Sequence, residues 1–138
     1  MYPPELVMPM AKELNDVGVE SMASAADVQN AISNTEGTVL VVVNSVCGCA
    51  AANARPAVRM ALNNDKTPTK SITVFAGVDR EATATAREFM LPYPPSSPSI
   101  ALFKNGQLVH MLERHHIEGF SADQIATNLK AAFDENCV

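Results

Sequence analysis

Thr38-Val39-Leu40-Val41-Val42-Val43-Asn44-Ser45-Val46-Cys47-Gly48-Cys49-Ala50-Ala51-Ala52-Asn53-Ala54-Arg55 is the stretch whose reading decides the fold. From Thr38 to Val43 it is almost wholly β-branched and apolar, without the alternation of a strand that shows one face to water. It therefore reads as an inner strand of a parallel-type sheet, buried on both faces. From Ala50 to Leu62 the residues suit a helix, with Pro56 inside it removing one backbone hydrogen bond. Two thiols stand where strand gives way to helix. A thiol at the first turn of a helix meets unpaired N–H groups and the positive end of the helix dipole, both of which favour thiolate and hence nucleophilic character. Gly48 leaves the backbone between the thiols permissive, and a disulfide across one intervening residue closes a tighter ring than a C-x-x-C pair does.

Upstream, Glu5 to Asp16 reads as a helix with Leu6, Met10 and Leu14 on one face and Pro9 in its first turn or at a kink. Gly18 breaks it. Val17 to Met22 reads as a short edge strand, and Ser24-Ala25-Ala26-Asp27 has the form of a capping box, opening a helix through Val28 and Ile32 that Glu36-Gly37 ends.

Downstream, Ser71 to Val78 reads as a second inner strand, and Asp79 as the N-cap of a helix running to about Met90. Leu91 to Pro98 carries four of the nine prolines and reads as a stiff loop. Ile100–Lys104 and Leu108–Leu112 are strands joined at Asn105-Gly106, a hairpin signal because both central positions accept positive φ. Ser121-Ala122-Asp123-Gln124 starts a last helix that buries Ile125, Leu129 and Phe133. The pattern is α/β: a central mixed sheet with helices on both faces, in one domain spanning 1–138, with residues 1–16 as an N-terminal helical extension.

The 138 residues, 47% hydrophobic, suffice for one core. A formal charge of -5 with no cluster of Lys and Arg argues against nucleic acid as a partner. The start lacks the basic and apolar regions of a secretion signal, and no apolar run is long enough to span a bilayer, so the expectation is a soluble, cytoplasmic protein without a membrane partner. Three cysteines, an odd count in a chain of this size, suit a reducing compartment where thiols do redox or metal chemistry.

The order of a buried strand, a cysteine pair at a helix start, a proline within that helix, a βα unit and then Ser97-Pro98-Ser99-Ile100-Ala101-Leu102-Phe103-Lys104-Asn105-Gly106 resembles the thioredoxin fold. More specifically, Asn44 to Ala51 followed by Asn53-Ala54-Arg55-Pro56, together with Tyr93-Pro94-Pro95-Ser96-Ser97-Pro98-Ser99, resembles the bacilliredoxin family, thioredoxin-like proteins with a C-G-C site once described as disulfide isomerases. That resemblance implies catalytic Cys47 and Cys49. Cys47 attacks a mixed disulfide between a client protein and a low-molecular-weight thiol such as bacillithiol, and Cys49 resolves it. It also implies a cis Ser97–Pro98 bond, with Pro98 facing Cys47 and a substrate groove formed by Pro98, Ser97, Val46 and Gly48. No bound cofactor or metal is implied beyond the dithiol itself, and the oligomeric state is left open.

Two departures from ordinary thioredoxins accompany the resemblance. Those proteins commonly carry a tryptophan before the first cysteine and a buried acid in the preceding strand, whereas Val46 and the run Val39 to Val43 supply neither. The base that would deprotonate the resolving thiol is thus unidentified. Potentials of about -270 mV for thioredoxin and about -180 mV for protein disulfide isomerase differ by roughly 4 kcal/mol for the two-electron couple, and the expectation here is the isomerase end.

The rival from another class is a non-catalytic carrier of zinc or copper, using the C-x-C thiols with His115, His116 or Cys137 as further soft ligands. His110 reads as a strand side chain at or near the surface and Cys137 as an exposed residue beside the C-terminus. Arg55, one or two turns beyond the thiols, has two readings, a cation that steadies a thiolate or the carboxylates of a bound small thiol and a solvated side chain, of which solvation is the favoured one. Met8, Met10, Met22, Met60, Met90 and Met111 read as gap-filling apolar residues.

Overall fold

The computed structural model describes residues 4–46 and 48–137. In chain order the elements are α1 (Pro4–Asn15), β1 (Glu20–Ser21), α2 (Ala25–Asn34), β2 (Thr38–Asn44), α3 (Gly48–Ala61), β3 (Lys70–Phe75), α4 (Arg80–Phe89), β4 (Ser99–Lys104), β5 (Gln107–Leu112), α5 (Arg114–Ile117) and α6 (Ala122–Asn136). The strands form one sheet in the order β1-β3-β2-β4-β5. β1 and β2 pair parallel with β3, whereas β4 runs antiparallel to both β2 and β5.

β2 is the middle strand, and its composition follows from that place. Every one of its residues is buried, Leu40 and Val42 towards one layer and Val39, Val41 and Val43 towards the other. The first layer joins Leu14 of α1, Ala54, Ala57 and Val58 of α3 and Ile125, Leu129 and Phe133 of α6. The second joins Val28 and Ile32 of α2 with Ala82, Ala86 and Met90 of the α4 region. A strand between two apolar layers cannot alternate with polar residues, and full burial of each Val or Leu contributes about 1.5–3 kcal/mol.

At the end where β2 begins, the sheet is tied by reciprocal hydrogen bonds. Gly37 N donates to Asn105 Oδ1 at 3.0 Å while Asn105 N donates to Gly37 O at 2.8 Å, and Thr38 and Thr69 each donate a backbone N–H to the other's hydroxyl at 3.2 Å. Asn105 and Gly106 have φ of 50° and 82°, the conformation the hairpin requires.

Several local expectations are corrected. On α1 Leu14 is buried and Met10 half-buried as expected, but Leu6 is exposed and Val7 is buried in its stead. β3 stops at Phe75 rather than Val78, because Gly77 takes φ +83° and turns the chain. Asp79 occupies the N-cap of α4, but its carboxylate turns back to accept from Phe75 N at 3.0 Å and caps the turn instead of the helix. Met8 is exposed rather than filling a gap. α5, a single turn after β5, has no counterpart in the sequence reading. Among the described residues no helix is long and apolar enough to cross a membrane.

Candidate functional site

Three pieces of chain converge where β2 ends. α3 starts at Gly48, two residues ahead of the expected start, so Gly48 and Cys49 belong to its first turn. Cys47 lies outside the described residues, as do the side chains of 48–51 and therefore the expected facing of Pro98 and Cys47. The second piece is the entry to β4. The β2–β4 ladder ends with Val43 opposite Ser99, which brings Ser97 and Pro98 in beside the exit of β2. The Ser97–Pro98 peptide bond is cis, Pro98 is buried and Ser97 half-buried. Leu91–Pro92 is a second cis bond, which the sequence reading does not single out. Val46 is half-buried at the same end.

The third piece is α5. Arg114 Nη1 donates to the carbonyl oxygen of Ser97 at 3.0 Å and its backbone N–H to Ser96 Oγ at 3.3 Å, while Nε pairs with Glu118 Oε2 at 2.9 Å. Arg114 thus holds the acyl side of the cis bond. The sequence reading passes over it, although a cation at the first position of a helix opposes the macrodipole and is a signal that the charge is wanted elsewhere.

Arg55 overturns its expected solvation. It is 7% exposed, and its Nη1 donates to Asn44 Oδ1 at 3.1 Å and to Ser45 O at 2.9 Å. Asn44 Oδ1 also accepts from Ser45 N at 2.9 Å, so one carboxamide oxygen joins the guanidinium to the backbone that leads to the thiols. The nearest described acid is Glu13 of α1, Oε1 3.7 Å from Nε, an ion pair without a hydrogen bond. Burial pushes the guanidinium's pKa down, and the Glu13 charge opposes that in part.

Of the further ligands expected for a metal, Cys137 is not where a carrier needs it. Cys137 is 5% exposed instead of frayed, and its Sγ accepts from Thr38 Oγ1 at 3.3 Å, at the opposite end of β2 from the cysteine pair. The six steps from Thr38 to Asn44, at about 3.3 Å each, separate those ends by about 20 Å. Glu113, His115 and His116 do offer ligand atoms within 4.8 Å of one another. Nδ1 of His116, however, accepts the Glu113 N–H at 3.0 Å, so the neutral ring carries its proton on Nε2 and has no lone pair left for a metal. His110, half-buried on β5, hydrogen-bonds Asn128 of α6 through Nε2 at 2.7 Å.

Comparison with known proteins agrees with this geometry. Residues 2–137 match the family model described as disulphide isomerase. A bacilliredoxin of Cytophaga hutchinsonii is 56% identical over 135 residues, covering 98% of this chain and 99% of its own. One from Koribacter versatilis is 52% identical and one from Bacillus cereus 50%, each over 137 residues that cover 99% of this chain and 94% and 95% of theirs. Among solved structures, thioredoxin from Malassezia sympodialis superposes with a TM-score of 0.60 at 17% identity, covering 86% of this chain and 90% of that one. Oxidised thioredoxin from Plasmodium falciparum does so at 0.57 and 19%, covering 83% and 98%. At those identities the likeness shows the thioredoxin fold. The sequence matches show the kinship: the chain belongs to the disulphide isomerase family together with the bacilliredoxins, as a thiol–disulfide oxidoreductase on a thioredoxin-like scaffold.

Proposed function

We propose that this chain strips low-molecular-weight thiols of the bacillithiol class from protein cysteines, in a reducing cytoplasmic compartment, with Cys47 as attacking thiol and Cys49 as resolving thiol. The Cys47 thiolate attacks the small-thiol sulfur of the mixed disulfide, and the client leaves as its free thiolate. Cys49, as thiolate, then attacks the Cys47 sulfur and expels the small thiol. The product is a Cys47–Cys49 disulfide, which needs two electrons from an external thiol reductant to return to the starting state. Ser97, Pro98, Val46 and Gly48 form the groove that receives the mixed disulfide.

The observation that carries this reading is the position of Cys49 in the first turn of α3, two residues past Cys47 in the chain, at the sheet end where the cis Ser97–Pro98 bond enters β4. Identity above half to bacilliredoxins over nearly the full chain supports the small-thiol substrate. The engagement of Cys137 by Thr38 and of His116 by the Glu113 backbone weighs against the metal carrier. The test presents one client protein bearing bacillithiol, glutathione or no adduct. Preferential release of bacillithiol is expected, and release of none of them by folded, reduced protein overturns the reading.

A further inference from the structure

A buried arginine with an incomplete set of partners has no evident purpose in stability, because a packed apolar side chain of similar volume commonly serves as well or better than a buried ion. Arg55 is such a residue: Nη1 is bonded twice, yet Nε makes no hydrogen bond among the described residues. Its only carboxylate within 4.0 Å, among the described residues, is Glu13, whose side chain is 33% exposed and so partly screened by solvent. The positive charge is therefore only partly neutralised. Both of its hydrogen bonds end on Asn44 and Ser45, the segment that runs into the cysteine pair. Cys47 follows Ser45 by two peptide units, and covalent geometry keeps the two Cα atoms within about 7.6 Å.

We infer that Arg55 is a positioning residue of the exchange reaction: its guanidinium, fixed beneath the end of β2 by Asn44 and Ser45, stabilises Cys47 as thiolate, and Glu13 attenuates that effect. The inference rests on Cys47 being the attacking thiol. Loss of the Cys47 proton goes to solvent and needs no neighbouring base, because a guanidinium neither gives up nor takes a proton near neutral pH. Other charged or titratable groups around this end are Arg59 on α3, Asp79 and Arg80 between β3 and α4, and Glu113, Arg114, His115 and His116 at the β5–α5 junction. None of these reaches Arg55 within 4.0 Å among the described residues, which leaves Glu13 as its counter-charge. A cation held near a thiol favours the thiolate, and a shift on the order of one pH unit is about tenfold in thiolate fraction below the midpoint.

The experiment follows the rate of iodoacetamide alkylation at Cys47 against pH, resolved by mass spectrometry, in the full chain carrying Cys49→Ser. Arg55→Met is expected to raise the midpoint by about one pH unit, and Arg55→Lys by less, since it keeps the charge. Glu13→Gln is expected to lower the midpoint. A purely structural role for Arg55 would lower the melting temperature and leave the midpoints together. The inference is overturned if folded Arg55→Met stays within about 0.2 pH unit of its parent. Should that variant fail to fold, Glu13→Gln decides: an unchanged or raised midpoint overturns the inference. Absence of any reactive thiol at Cys47 in the parent would instead sink the proposed function itself, a distinguishable result.

Discussion

Arg114 Nη1 sits 3.0 Å from the carbonyl oxygen of Ser97, so the acyl half of the cis Ser97–Pro98 bond is held by a cation from the turn that follows β5. The same side chain pairs with Glu118, and it is 39% exposed, so solvent screens part of both contacts. Arg114→Ala should destabilise the protein by about 1 kcal/mol and lower turnover several-fold, because the loop proposed to line the substrate groove loses its tether. Urea titration and steady-state rates check both. Unchanged turnover would detach the tether from the chemistry.

The division of labour between the thiols gives an asymmetric prediction. Cys49→Ala should accumulate a mixed disulfide on Cys47 with the small thiol, visible as a mass adduct, whereas Cys47→Ser should accumulate none. If both variants turn over at the parent rate, the assignment of the two roles is wrong.

Cys137 should be inert in the folded protein. Its sulfur is buried against Thr38, and thiol reactivity needs both access and thiolate. Native-state alkylation should leave it unmodified while denaturant exposes it, and Cys137→Ala should keep turnover within about twofold at a cost of about 1 kcal/mol in stability. Rapid native labelling would contradict the packing at the end of α6.

Leu40 is fully buried at the middle of β2, in the layer shared with α3 and α6. Leu40→Ala should cost about 2–5 kcal/mol, a large share of the stability of a domain this size. The midpoint of chemical denaturation reads this directly.

Gly37 has φ +102°, and a Cβ placed there would run into Thr69 Oγ1. Gly37→Ala should therefore lower stability by more than about 1 kcal/mol, and Gly37→Ala combined with Thr69→Ala should recover only the steric part, leaving the backbone part. Full recovery by the double variant would show that the left-handed backbone adds nothing.

The sequence exposed what depends on neighbours close in the chain. The unbroken apolar run of β2, the Asn105-Gly106 turn and the Ser121 cap each carry a local physical signature, and each is realised where the residues indicate. What it hid depends on partners far along the chain. Arg55 looks like a surface cation until α1 brings Glu13 beside it and β2 offers Asn44 Oδ1 and Ser45 O as acceptors. Cys137 looks like a frayed end until α6 carries it back to Thr38. Asp79 has the right residue type for a cap, but the backbone N–H of Phe75, freed where β3 stops, competes for its carboxylate. Arg114 and the single turn of α5 carry too few residues for a periodic signal.

The paired bonds of Gly37 with Asn105 and of Thr38 with Thr69 have a consequence for how the molecule responds to its own redox cycle. They close the end of the sheet opposite the first turn of α3, where Cys137 also packs. Deuterium uptake at the amides of Gly37, Thr38, Thr69 and Asn105 should then be the same for the dithiol and disulfide forms, any difference being confined to the segments around Asn44, Ser97 and Arg114. On the proposed function, one half of the sheet is a fixed foundation and only the other has to accommodate a visiting client.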